Sequence, residues 1–79
     1  MNQICRDIFR AIHEEKWLKI EYRNKADQIT KYWIGIRDLD PAKRTLKVDG
    51  LHLGMYTLGE YDKIFVDSIL STEVIEGTY

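Results

Sequence analysis

Seventy-nine residues suffice for one domain, and a chain of this size buries only about 60% of the surface its unfolded form exposes, which excludes a deep enclosed pocket. Apolar residues at 44% and charged residues at 32% describe a globular chain rather than a disordered tail, and no apolar run approaches the roughly 18 residues of a membrane span. The formal net charge of −1 lacks the global positive field of a strongly basic nucleic-acid binder, so contact with an anion has to come from a local patch.

Asn2 is placed to cap a helix in which Ile4, Cys5, Ile8, Phe9, Ala11 and Ile12 recur at three- to four-residue spacing, with Arg6, Asp7, Arg10, His13 and Glu14 on the opposite face. The helix is expected to end near Glu15 or Lys16. Because it mixes acids and bases into its apolar stripe, this opening does not read as a signal peptide, and cytoplasmic residence is the default expectation. Cys5, the single cysteine, lies on the apolar side and is expected to be a buried, unreactive thiol.

Residues 17–22 alternate, with Leu18, Ile20 and Tyr22 on one side and Lys19 and Glu21 on the other, the pattern of a half-buried strand. The polar run 23–28 predicts a hairpin loop, and residues 29–37 its returning strand with Tyr32, Ile34 and Ile36 inward. Pro41, after Asp40, suits the second position of a turn. Residues 45–48, or slightly beyond, predict a further strand, and the glycines at 50, 54 and 59 a longer, irregular connection that still holds Leu51, Leu53, Met55, Tyr56 and Leu58. Short strands are predicted at 63–67 and 71–76, separated by a tight turn at 68–70.

The expected fold is therefore mainly β with one N-terminal helix: a five-stranded antiparallel SH3-like, Sm-type barrel that avoids open edges by bending on itself. Residues 1–79 form a single domain. The ending Glu76-Gly77-Thr78-Tyr79 carries no stop signal, and the chain is expected to be a piece of a longer protein.

No catalytic apparatus is legible. His13 and His52 stand far apart, no paired Cys or His spacing suits a metal, and Ser68 and Ser71 have neither a nearby histidine nor a glycine elbow. No enzyme activity, metal or cofactor is expected of the domain. The informative residues are basic and aromatic. Arg23, Lys25, Lys31 and Arg37 lie along the first hairpin, with Trp33 on the Lys31 face and Trp17 on the Lys19 face. Rings beside cations suit single-stranded nucleic acid, whose bases stack while its phosphates meet the charges. The competing expectation is that both tryptophans close the barrel or cover its helix.

The segment AIHEEKWLKIEY, the hairpin returning through Thr30 and Lys31, and the final FVDSI followed by STEVIE together resemble a WYL domain, a small Sm-like regulatory barrel. The resemblance spans nearly the whole chain. It implies a bacterial-type accessory module that binds nucleic acid or another small anionic ligand and regulates an attached helicase or transcription regulator; the parent protein would then be a nucleic-acid-processing one such as an ATP-dependent helicase. Lys31 stands where the family carries an anion-contacting arginine. Leu46-Lys47-Val48 replaces the tripeptide that names the family, Phe65 and Ser68 take the places of two arginines around a retained Asp67, and Gly35 stands where a proline is usual.

Two functions from different classes follow. In the first, Arg23, Lys25, Lys31, Trp33 and Arg37 bind single-stranded nucleic acid or a small anion. In the second, the domain docks on downstream domains of its own chain or forms a homodimer through a strand edge or the apolar stretch 53–58. Neither involves a membrane.

Overall fold

The computed structural model describes residues 2–78, with only the backbone of 77 and 78. It comprises α1 (Gln3–Glu14), β1 (Lys16–Arg23), β2 (Ile29–Asp40), β3 (Thr45–His52), β4 (Thr57–Phe65), a 3-10 turn (Val66–Ser68) and β5 (Ile69–Thr78). The helix starts where the Asn2 side chain accepts a hydrogen bond from the Cys5 backbone N–H at 2.8 Å. It stops at Glu15, whose left-handed conformation (φ 55°) turns the chain straight into β1.

All five strands share one antiparallel sheet in the order β4-β3-β2-β1-β5. The β1–β2 hairpin is closed by the Asn24 side-chain oxygen, which accepts from the N–H groups of Ala26 and Gln28. Asp40 does the same for Ala42 and Lys43 around Pro41, the turn expected there. β4 and β5 are the outer strands, yet the chain from Phe65 to Ile69 reaches at most about 14 Å, against roughly 19 Å for the four strand spacings of a flat sheet. The sheet therefore curls, with bulges in the β1–β5, β2–β3 and β3–β4 ladders supplying the bends. Two hydrogen bonds fix the far end of β4: Phe65 N–H donates to the Tyr22 hydroxyl of β1 at 3.0 Å, and Val66 N–H donates to the Arg44 carbonyl at 2.9 Å.

Inside lie Leu18, Ile20 and Tyr22 of β1, Ile34 and Ile36 of β2, Leu46 and Val48 of β3, and Ile64, Val66 and Ile69, with Ile8 and Ala11 of α1 closing the core. The alternation in β1 and β2 thus faces as expected. Each such side chain removed from water contributes about 1.5–3 kcal/mol.

Several expectations are corrected. Residues 50–59 are not an irregular connection: β3 runs on to His52, β4 begins at Thr57, and only a tight hairpin separates them. The reason is Tyr61, whose ring lies against Gly50. A Cβ on Gly50 would meet that ring at 2.9 Å, and Gly59, the cross-strand partner of Gly50, also faces it. These glycines make room for a ring within a sheet. The strand expected at 63–67 is the end of β4, the turn falls at Val66–Ser68 rather than 68–70, and β5 begins at Ile69.

Asp7 is not on the solvent face of α1. It is buried, and its carboxylate accepts hydrogen bonds from the Thr72 hydroxyl at 2.7 Å and the Gln3 side chain at 2.8 Å. Phe9 and Ile12 are exposed, because the stripe that faces the sheet is Ile4, Asp7, Ile8 and Ala11, rotated away from them. Cys5 is half-buried, lining a small apolar depression with Ile8, Phe9, Leu39, Pro41, Arg44 and Val66. Neither tryptophan closes the core, since both lie on the outer face of the sheet.

Candidate functional site

The residues expected to bind a ligand fall in two places. Arg23 and Lys25 stand at the β1–β2 hairpin, where they border a cleft with Tyr22, Asn24, Tyr32, Tyr61, Lys63, Ile64, Phe65 and Ser68. Its open volume is about 260 Å³, slightly below the usual range for small-molecule sites. Curling of the sheet makes this cleft, because it brings the last residues of β1 against the last residues of β4, which are three strands apart in the sheet order.

Among the described residues three cations border the cleft, and no carboxylate does. Arg23 has a partner outside it, the Asp27 carboxylate at 3.4 Å, in an exposed pair of the kind that contributes little. Among the described residues Lys25 and Lys63 have no ion pair, although Lys63 also borders a neighbouring depression that holds Asp38, Asp40 and Asp62. The floor is built of tyrosines. Tyr32 meets Tyr61 edge to face at 5.4 Å between centroids, Tyr22 at 6.4 Å and His52 at 5.1 Å. Burial, and next the neighbouring Tyr32, push the Tyr61 hydroxyl above its ordinary pKa, so it stays a neutral hydrogen-bond donor at physiological pH.

Lys31, Trp33 and Arg37 do not join this cleft. They point from β2 to the outer face, where Trp33 is 37% exposed. Lys31 has no ion pair among the described residues and sits opposite Glu21 in the β1–β2 ladder. Arg37 is committed to two carboxylates, Glu60 at 3.1 Å and Asp49 at 3.5 Å, which oppose an anion at that point. Lys63 and the tyrosine floor were not legible as a site. Lys63 is forty residues from Arg23, and only the curl of the sheet joins them.

Asp67, the acid that the resemblance retains, binds the Arg44 guanidinium through both oxygens, at 2.9 to 3.1 Å. That hydrogen bond holds the Asp67 carboxyl below its ordinary pKa and ties the start of β3 to the 3-10 turn. Among the described residues no group of three His, Cys, Asp or Glu side chains is disposed to hold a metal ion, and no helix is long and apolar enough to cross a membrane. The chain matches no protein-family model and no curated protein.

Proposed function

We propose that the domain is a non-catalytic module that holds a phosphate-bearing ligand, a small anion or a short stretch of single-stranded nucleic acid, in the tyrosine-floored cleft, and that it regulates a domain to which it is attached. The observation that carries this reading is the convergence of Arg23, Lys25 and Lys63 on a cleft that no acid borders among the described residues. The Tyr61 and Ser68 hydroxyls add donors, and the tyrosine rings offer apolar surface to a base or sugar. The resemblance to WYL domains points the same way. Phe65 and Ser68, at the positions of the two family arginines, both border this cleft, and the charge there comes from Arg23, Lys25 and Lys63 instead.

The test is fluorescence anisotropy of a labelled oligothymidylate at low salt. Lys25→Ala and Lys63→Ala are each expected to weaken binding about fivefold, the worth of roughly 1 kcal/mol for one exposed charge contact. Lys31→Ala and Arg37→Ala should do less. Larger losses for Lys31→Ala and Arg37→Ala would place the ligand on the outer face of β2, and either equal loss in all four variants or no binding at low salt would remove the proposal.

A further inference from the structure

The outer face of the sheet carries an apolar surface that the anion cleft does not use. Trp33 of β2, Leu51 of β3 and Leu58 of β4 are consecutive cross-strand neighbours, and Met55 and Tyr56 project from the β3–β4 hairpin beside them. Met55 is 66%, Tyr56 80% and Leu58 74% exposed. At the other end of the same face Trp17, Asp49, Leu58, Gly59 and Glu60 border an open groove of about 560 Å³.

We infer that this face is a two-fold interface in which the Met55–Tyr56 tip of one copy seats in the Trp17–Leu58 groove of a second copy, and the reverse. Leu58 belongs both to the apolar row and to the border of the groove, which runs from β4 across the sheet to Trp17, and the tip residues Met55 and Tyr56 stand two to three residues from Leu58 along the chain, or about 7–10 Å. A two-fold axis passing near Leu58 would bring each tip to the other copy's groove, the closed arrangement of an isologous dimer. The chemistry matches: the groove presents the carboxylates of Asp49 and Glu60, with one cation, Arg37, shared between them, and the Tyr56 hydroxyl is a donor. The area is also of the right order. Trp33, Met55, Tyr56 and Leu58 at these exposures leave on the order of 500 Å² of side chain uncovered, most of the roughly 800 Å² per partner of a standard interface.

The tip itself is held in one conformation. Tyr56 sits in the left-handed region at φ 52°, which favours glycine or asparagine, although Gly54 stands only two residues earlier. The strained turn is held in place by the Tyr56 N–H donating to the His52 carbonyl at 2.7 Å and the Met55 N–H donating to His52 Nδ1 at 3.1 Å.

Sedimentation velocity over roughly 10 μM to 1 mM tests this, with Tyr56→Asn, which suits the left-handed turn, and Leu58→Lys, a change at an exposed position. The expected result is a monomer–dimer equilibrium that stops at two copies and is weakened at least about tenfold by either substitution, with circular-dichroism melting curves unchanged or improved. A monomer throughout, growth beyond two copies, or a dimer indifferent to both substitutions would overturn the inference. Anisotropy with oligothymidylate is unaffected by Tyr56→Asn, which leaves the charge unchanged, if the anion cleft is a separate site, so the two proposals fail separately.

Discussion

Asp7 is the residue whose environment departs most from its chemistry. A carboxylate on a helix facing a β-sheet survives burial only because Thr72 and Gln3 satisfy it, at 2.7 and 2.8 Å. Asp7→Ala is expected to cost about 1–3 kcal/mol, since it leaves the Thr72 hydroxyl half-buried without its acceptor. Urea unfolding measures this, and a double-mutant cycle with Thr72→Val should show coupling of at least about 0.5 kcal/mol between the two. Additive effects would mean that the bond does not form. Gly50 makes a different point. Its Cβ would stand 2.9 Å from the Tyr61 ring and 3.6 Å from Ile34, so Gly50→Ala is expected to destabilise by about 1–3 kcal/mol and to displace the ring that floors the cleft. An unperturbed Tyr61 ring in NMR spectra of that variant would contradict the packing described.

At the scale of elements, α1 is stitched to the last strand by charges as well as by its apolar face. Glu76 of β5 accepts from Lys16 at 2.7 Å and from Arg10 at 2.9 Å, and Glu14 is bound to Arg10 at 3.1 Å and Lys16 at 3.4 Å. Hydrogen bonding from Lys16, then from Arg10, holds Glu76 below the ordinary carboxylate pKa, and Arg10 does the same for Glu14. A carboxyl with a depressed folded pKa stabilises above its unfolded value and loses that contribution as the pH falls through the folded value. Stability should thus decline from the ordinary carboxylate range downward, modestly and less in high salt, because these groups are exposed. Urea midpoints followed from pH 7 into acid should fall less for Glu76→Gln than for the unmodified chain; parallel curves would mean the network contributes nothing.

The same elements mark what the sequence discloses. Alternation in β1 and β2 fixed their inward faces, because a period of two has one solution once one side is buried. Asn2 and the Asp40-Pro41 turn were legible from local chemistry alone. Gly50 and Gly59 were misread as loop residues because their reason is a ring eleven and two residues away along the chain, visible only after β3 pairs with β4. Asp7 failed for a related cause. Its partner Thr72 lies 65 residues away, and without it a charged side chain belongs on the solvent face.

The whole molecule balances to a formal charge of −1, so its affinity for an anion depends on where the charges sit rather than on their sum. With Arg23, Lys25 and Lys63 as the contacts, the logarithm of the affinity for a single strand should fall with the logarithm of salt with a slope of about −2. A flat salt dependence would exclude phosphate contact at these residues. The candidate site was half legible on this scale: Arg23 and Lys25 stood out as hairpin cations, but Lys63 and the tyrosines converge on them only through the curl that links β1 to β4.

A ¹⁵N-edited NMR titration of the domain with a short oligothymidylate at low salt, below the concentration at which the chain associates, tests the anion cleft residue by residue. Shifts are expected to cluster at Arg23, Lys25, Tyr61, Lys63 and Ser68, to leave Lys31 and Arg37 nearly still, and to reverse on adding salt. Shifts centred on Lys31, Trp33 and Arg37, or none at saturating oligonucleotide, would contradict it.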